Sequence, residues 1–383
     1  MGHRGRSGFH RVRPAGHMTR RVFVLTAQPP ESLGGAEHFI RGLLGGLEQR
    51  GYQTEIFHRG SCEPKSMAGF GGRWGKKVAG SLYGYWIGKK AQNQNFDDVA
   101  AVISSGDVGF YPLRCASSVK RIHFYHGTYR GQAEAIRPFI KYGGYLYMKW
   151  WNSMVLERLS GRGKLIFTCS EQLTQEVSRF FGYDSIPMWY PLDTQHFKPQ
   201  DIALCRKVLH LPQEKTVGLF VGSLHPMKGF GTVRSLIERF PGVHWVAALR
   251  GVSPDNNFTG LNLTVLRNVS PDQLPLLYGA ADFSLCPSLY EPFGYVVSEA
   301  LACGTPVIAS PGGASLLFLR EAPLDRLLVK DPHDRDGFFD AVSSILREPE
   351  LYRRAVVERI WPKLQAHMAP DSWWKHFLEA TGL

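Results

Sequence analysis

Short apolar runs bounded by turn residues recur along the chain, and between them the apolar positions fall at helical spacing. In the first half Arg21–Thr26, Gln53–His58, Val99–Ser104, Ile122–Tyr125 and Leu165–Cys169 read as strands. A Gly34-Gly35 turn leads from the first of these into an amphipathic helix over Ala36–Arg50. Ser170 is placed to cap another helix that runs to about Phe181. The second half repeats the theme, with strands at Val217–Val221, Val243–Leu249, Leu263–Leu266, Asp282–Cys286, Pro306–Ala309 and Leu327–Val329. Strands alternating with helices predict doubly wound α/β sheets. Pro187–Phe197 is rich in proline and aromatics but poor in periodicity, which puts an interdomain crossing there. Near the end, Asp371-Ser-Trp-Trp opens a short helix whose two tryptophans require burial against something larger.

Length and composition narrow this picture. A chain of 383 residues holds two domains, each large enough for its own core. A hydrophobic content of 44% with 20% charged residues describes a globular protein, and no apolar run reaches membrane-spanning length. Residues 1–17 are rich in Gly and Arg and lack an apolar stretch. They are expected to be a disordered basic tail rather than a secretory signal, with Met18 as an alternative start. The six cysteines (Cys62, Cys115, Cys169, Cys205, Cys286 and Cys303) are scattered without a CxxC pair or a Cys/His cluster. They point to reduced thiols in a cytoplasmic protein, not to a disulfide frame or a zinc site.

Charge is unevenly divided. Residues 1–190 carry 26 Lys and Arg against 13 Asp and Glu, and residues 191–383 carry 19 against 20, so the net +12 belongs to the first half. That half is expected to meet something anionic. Two of its stretches mix bases with aromatics. Arg73–Lys90 includes Trp74, Lys76, Lys77 and Trp86, and Lys120–Lys164 holds nine bases, two acids and nine aromatics. Such chemistry suits an anionic membrane surface, with rings at headgroup level and cations on phosphates. The plainer alternative is that the aromatics are core and the bases solvated. Nucleic acid fits less well, since no RRM, KH, zinc or helix-turn-helix signature is present.

The most informative segment is Ser288-Leu-Tyr-Glu-Pro-Phe-Gly-Tyr-Val-Val-Ser-Glu299. Glu291 sits in a Pro/Gly-marked turn, Glu299 in the helix that follows, and Gly304 stops that helix before a buried strand. The amides of Phe293, Gly294 and Tyr295 are expected to face the same space. Carboxylates accept from sugar hydroxyls, while a helix N-terminus favours phosphate, so the arrangement suits a phosphorylated, polyhydroxylated ligand. Taken with the downstream Gly304-Thr-Pro-Val, the segment resembles the donor-site signature of the retaining glycosyltransferases of family 4, which have the GT-B fold.

Other loops extend the resemblance. Gly222-Ser-Leu-His-Pro-Met-Lys-Gly229 lacks Walker spacing but is similar to the family's diphosphate-gripping loop, with Lys228 matching and Ser223 standing where the family has Arg. Arg250, at the end of the next strand, is the candidate to replace the missing cation. Gly34-Gly35-Ala36-Glu37 resembles the family's first βα turn, whose amides approach the diphosphate across the cleft. His126-Gly127 closes a strand at the edge where α/β sheets bind ligands, and it resembles a His-Gly pair that contacts the transferred sugar. His123, earlier on that strand, is its competitor and reads as structural. Ser310-Pro-Gly-Gly-Ala314 offers further amides for phosphate, with Leu316 where the family often has Glu.

The resemblance implies two Rossmann-like domains facing across a cleft: residues 18–190 for the acceptor, 191–365 for the nucleotide sugar, and a final helix, 366–383, crossing back to the first. It implies transfer of a sugar, with retained configuration, from a UDP- or GDP-sugar to a lipid-linked, saccharide or small-molecule acceptor. No metal is called for. Glu299 would hold the ribose, Glu291 and the amides of Phe293 and Gly294 the sugar, Lys228 the departing diphosphate, and His126 would orient the sugar. The protein would then be cytoplasmic, or peripheral on the inner face of a membrane. Two rivals stand beside this reading: a nucleotide-sugar epimerase, and a non-catalytic carbohydrate- or membrane-binding GT-B protein, which Ser223 makes plausible.

Overall fold

The computed structural model describes residues 20–32, 34–62, 82–250 and 262–383. The expected basic tail and the alternative start at Met18 lie outside these residues, as do Trp74, Lys76 and Lys77.

Two parallel sheets form the frame. The first comprises β1 (Arg21–Leu25), β2 (Gln53–Phe57), β3 (Val99–Ser105), β4 (Lys120–Tyr125), β5 (Leu165–Thr168) and β6 (Ile186–Pro187), in the order β2-β1-β3-β4-β5-β6. The second comprises β7 (Val217–Gly222), β8 (His244–Leu249), β9 (Leu263–Arg267), β10 (Phe283–Cys286) and β11 (Val307–Ala309), in the order β11-β10-β7-β8-β9. Every pairing is parallel, which accounts for strands that read as continuous apolar runs: helices cover both faces. The expected strand at Leu327–Val329 does not form. Leu324–Leu327 is a 3-10 turn, and Leu328 makes a single bridge to Ala309. Leu327 and Val329 are apolar because they are buried, not because they belong to a ladder.

Five helices place the site. These are α1 (Gly35–Gln49), α2 (Tyr129–Ala135), α3 (Glu171–Phe181), α4 (Tyr295–Ala302) and α5 (Pro370–Thr381). Ser170 caps α3 as expected, its side chain accepting from the Leu173 N–H. The chain crosses between the sheets twice, and the crossings touch: the Leu192 N–H donates to the Met368 carbonyl at 2.9 Å.

The final helix returns to the first domain. Trp373, Trp374 and Phe377 of α5 are all buried, with Phe377 against the rings of Phe124 and Phe167 on β4 and β5. The Arg50 guanidinium lies 4.2 Å from the centre of a Trp374 ring, a cation–π contact with the end of α1. Gly46 makes this approach feasible, since a Cβ there would stand 2.0 Å from Trp374. The fold is GT-B in outline: two Rossmann-like sheets facing each other, tied by a crossing helix.

Candidate active site in the interdomain cleft

In the second sheet the chain runs β7, β8, β9 to one side and then places β10 and β11 on the other. The switch point lies between β7 and β10, and their C-terminal loops are therefore neighbours. Open α/β sheets bind ligands in such a crevice. The two loops are the ones that carry the candidate chemistry. They are joined by the Leu289 N–H, which donates to the Met227 carbonyl at 2.8 Å. Gly229 has φ +68°, and a Cβ there would lie 1.8 Å from the Pro287 carbonyl oxygen, so only glycine lets the loops meet.

Across this junction the Lys228 ammonium donates to Glu291 Oε2 at 2.6 Å, and Ser288 Oγ donates to the same oxygen at 3.2 Å. Burial would lower the Lys228 pKa, but the adjacent Glu291 carboxylate outweighs it and leaves it raised. Lys228 is therefore a held cation rather than a solvated loop lysine. Arg250 follows β8, and its N–H donates to the Gly222 carbonyl at 2.9 Å. Its positive charge repels that of Lys228 and tends to lower the lysine's pKa, which puts it within electrostatic reach of the same loop, while its side chain is exposed. Ser223 is half-buried at the mouth of this loop.

Gly294 caps α4 in the left-handed region, φ +90°, and turns the Glu291 loop into the helix. Phe293 and Tyr295 pack on Tyr190 of the crossing segment, with ring centres 4.7 and 5.4 Å away. One turn into α4, Glu299 is buried and accepts from the Tyr278 hydroxyl at 2.8 Å. Burial pushes its carboxyl up to about 7, and the Tyr278 bond only partly offsets this.

The sign of the pH effect follows from that shift. Because the folded-state pKa is raised, this site's contribution to stability is fully present below the unfolded value of 4.5 and is lost as pH rises through about 7. Glu299→Gln, which cannot ionise, should match the native chain near about pH 5 and exceed it near about pH 8, by an amount on the order of 1–3 kcal/mol. Urea unfolding midpoints at the two pH values measure this. A gap that does not widen with pH would show that Glu299 ionises normally.

Ser310–Ala314 plays a different part from the one expected. The Gly313 and Ala314 amides donate to the carbonyls of Glu291 and Phe293, at 3.2 and 2.6 Å. They brace the motif loop instead of facing the cleft.

The first domain supplies the opposite wall. Its own switch point lies between β1 and β3, and Gly34-Gly35 follows β1 at that place. A Cβ on Gly35 would sit 3.5 Å from the Tyr295 ring, and His38 meets the same ring at 5.0 Å between centres, so the α1 N-terminus faces α4 across the cleft. The Glu37 carboxylate leans back over Gly34, so a negative group already sits at this helix start.

His126 leaves β4 as a neutral imidazole, because burial lowers its pKa to about 4. Its Nδ1 pairs with the Tyr190 hydroxyl, and its Nε2 is buried without a partner among the described residues. A neutral ring with one unpaired nitrogen is suited to hydrogen-bond a hydroxyl, not to act as a cation. His123 is fully buried on the other face of β4 and pairs with Ser104 Oγ at 2.9 Å, a structural role. The next turn meets the second domain: a Cβ on Gly127 would stand 2.9 Å from Pro292.

The basic, aromatic stretch divides as well. Tyr125 and Tyr145 are buried, but Phe139, Tyr142 and Trp150 are exposed, at 57%, 67% and 58%. Arg137, Lys141 and Lys149 lie beside them in the chain. Among the described residues, no helix is long and apolar enough to cross a membrane.

Sequence reasoning missed Tyr190, Tyr278 and Tyr290, each of which hydrogen-bonds a site group or bridges the domains. Only Tyr290 carried a signal, its place beside Glu291. The other two meet their partners by packing across 64 and 21 residues of chain.

Comparison with known proteins agrees with this geometry. The model of Glycosyl transferases group 1 matches residues 201–358, and that of Glycosyltransferase Family 4 matches residues 33–191. The D-inositol 3-phosphate glycosyltransferase of Mycobacterium sp. (strain KMS) is 33% identical over 180 residues, 44% of this chain and 40% of that protein. The matched stretch thus spans well under half the length of that relative. Sucrose-phosphate synthase from Thermosynechococcus elongatus superposes with a TM-score of 0.77 at 19% identity, covering 94% of this chain and 98% of that one. Anabaena HepE, solved in complex with UDP-glucose, superposes with a TM-score of 0.67 at 14% identity, over 94% and 98% of the two chains. At such identity these likenesses speak to the fold. With one family model on each sheet domain, the chain belongs to the group 1 glycosyl transferases, glycosyltransferase family 4.

Proposed function

We propose that this chain is a retaining glycosyltransferase that takes a sugar from a nucleoside diphosphate sugar and passes it to an acceptor on the basic first domain. The observation that carries the reading is the Lys228–Glu291 pair at the switch point of the second sheet, with the first domain presenting His126, whose Nε2 has no partner among the described residues. Glu291 and the amides of Phe293 and Gly294 hold the transferred sugar, and Tyr295 closes the wall behind them. Glu299 accepts from the ribose hydroxyls. His126, being neutral, orients the sugar by a hydrogen bond.

Lys228 exchanges its carboxylate partner for the diphosphate, whose negative charge grows as the glycosidic bond breaks. Arg250 adds the second cation that Ser223 does not provide, and the amides of Gly34 and Gly35 approach the diphosphate from the other wall. No residue is required as a covalent nucleophile in this scheme. The departing phosphate takes the acceptor's proton, which keeps the outcome on the same face of the sugar.

A thermal-shift screen of the full chain against UDP, GDP, ADP and their sugar conjugates tests the reading, because ligand binding raises the melting temperature by mass action. One nucleotide class should shift the midpoint selectively, and Glu299→Ala should remove the shift. No shift with any of them would move weight to a non-catalytic GT-B protein, whereas turnover of the donor without an acceptor would favour an epimerase. Exposed Phe139, Tyr142 and Trp150 beside three bases favour an anionic membrane surface as the place of the acceptor. Sedimentation with anionic but not neutral vesicles is the expected result, and equal sedimentation with both would remove that part of the proposal.

A further inference from the structure

Glu291 lies between two residues that the first domain grips. On one side the Tyr290 hydroxyl accepts from the Thr128 N–H at 2.9 Å and donates to Glu176 Oε1 at 2.9 Å. The Thr128 hydroxyl donates to the same carboxylate oxygen, which closes a three-membered network. On the other side Ser170 Oγ donates to the Pro292 carbonyl at 2.7 Å. Thr128 caps α2, Ser170 caps α3, and Glu176 lies on α3, so two helix starts of one domain clamp a single loop of the other.

The shapes agree with the hydrogen bonds. A Cβ on Gly131 would stand 2.5 Å from the Tyr290 ring and 2.4 Å from the Glu176 carboxylate, so the first turn of α2 is open only because glycine lines it. The Glu291 carboxylate, by contrast, is held within its own domain by Lys228 and Ser288. Its side chain and its carbonyl thus belong to the second domain, while the residues on both sides of it, Tyr290 through its hydroxyl and Pro292 through its carbonyl, are gripped by the first.

We propose that Tyr290 is a positioning residue: with Glu176, Thr128 and Ser170 it forms an interdomain latch that holds the turn 290–292, and Glu291 within it, against the first domain when the cleft is closed. The latch rests on the transferase reading given above and extends it, since it makes assembly of the sugar-holding site conditional on closure. Coupling of this kind keeps the reacting sugar away from water until both walls are present. Of the nucleotide contacts, those of Lys228, Arg250 and Glu299 come from the second domain itself, and only those of Gly34 and Gly35 lie across the cleft.

Tyr290→Phe removes the hydroxyl and keeps the ring. It should lower kcat on the order of ten- to a hundred-fold, since a small misplacement of a reacting group has effects of that size. Nucleotide Kd should change by much less than kcat, because Lys228, Arg250 and Glu299 remain in the second domain and only the Gly34 and Gly35 amides withdraw across the cleft. The radius of gyration from small-angle scattering of the full chain, with and without nucleotide, should increase. Glu176→Ala should act alike, and the double variant should lose no more than either single, because the two residues share one network. Glu176→Gln keeps an acceptor oxygen and should recover most of the loss. Gly131→Ala, which leaves both polar partners in place and wedges the ring, should reproduce the open form.

Native scattering and native kcat in Tyr290→Phe, or additive losses in the double variant, would overturn the latch. The scattering comparison needs no ligand. If the native chain binds no nucleoside diphosphate, the transferase reading fails, while the ligand-free curves of Tyr290→Phe and Gly131→Ala still decide whether the latch exists.

Discussion

Replacing Lys228 with alanine should lower kcat for sugar transfer by about 10²–10³-fold, the usual loss on removing one preorganised charge aimed at a developing anion. The ammonium is held 2.6 Å from Glu291, half-exposed and pinned between the β7 and β10 loops, so it need not be ordered at the moment of reaction. Its charge is secure, since the Glu291 carboxylate raises its pKa despite burial. The effect should fall on kcat more than on KM, because the phosphate charge it meets is larger in the transition state than in the bound donor. Arg250→Gln should show a smaller loss of the same kind, as its exposed side chain acts through more solvent. Steady-state kinetics of the two variants with one donor measures both. Native kcat in Lys228→Ala would leave the Gly222–Gly229 loop a structural turn. Native donor affinity in Arg250→Gln would remove Arg250 as the substitute for the missing arginine at Ser223.

The second large effect concerns the frame. Phe377→Ala should destabilise the chain by about 3–5 kcal/mol, the range for emptying a fully buried aromatic site. Phe377 is fully buried, stacked on Trp373 at 5.1 Å and set against Phe124 and Phe167 of the first sheet. These neighbours belong to strands and to a crossing helix, so they have little freedom to close the gap. Lys375→Ala, on the exposed side of the same helix, should change stability by less than about 0.5 kcal/mol. Urea unfolding of the three chains reads the difference. A small loss in Phe377→Ala would mean that α5 docks weakly and that the two domains are tied mainly by the Pro187–Phe197 crossing.

The sequence was most legible where one residue type answers one local demand. Ser170 could be read as a cap because its own hydroxyl meets an amide three residues on. The alternation of apolar runs located ten of the eleven strands among the described residues, since burial on both faces marks the inner strands; β6, only two residues long, is not marked in this way, and its Pro187 falls at the start of the expected crossing. Reading failed where apolar character came from burial alone. Leu327–Val329 carries a strand's composition but makes one bridge, and Ser310–Ala314 carries a phosphate loop's glycines but spends the Gly313 and Ala314 amides on the Glu291 loop.

What the sequence determined by itself about this protein is the identity of its chemical groups and the short-range geometry around each: Glu291 in a turn, Glu299 in the helix after it, Lys228 in a glycine-bounded loop, His126 at a strand end. What the tertiary structure decided is which of these meet and in what charge state. The order β11-β10-β7-β8-β9 brings Lys228 to Glu291 across 63 residues, and no local pattern encodes a strand order. Burial then makes His126 neutral and raises Glu299, shifts that depend on how much of the other elements covers each group. Tyr290 shows the division most plainly. Its phenol is in the motif, but the amide and carboxylate it joins come from 162 and 114 residues away, and only the closing of one domain on the other brings them together.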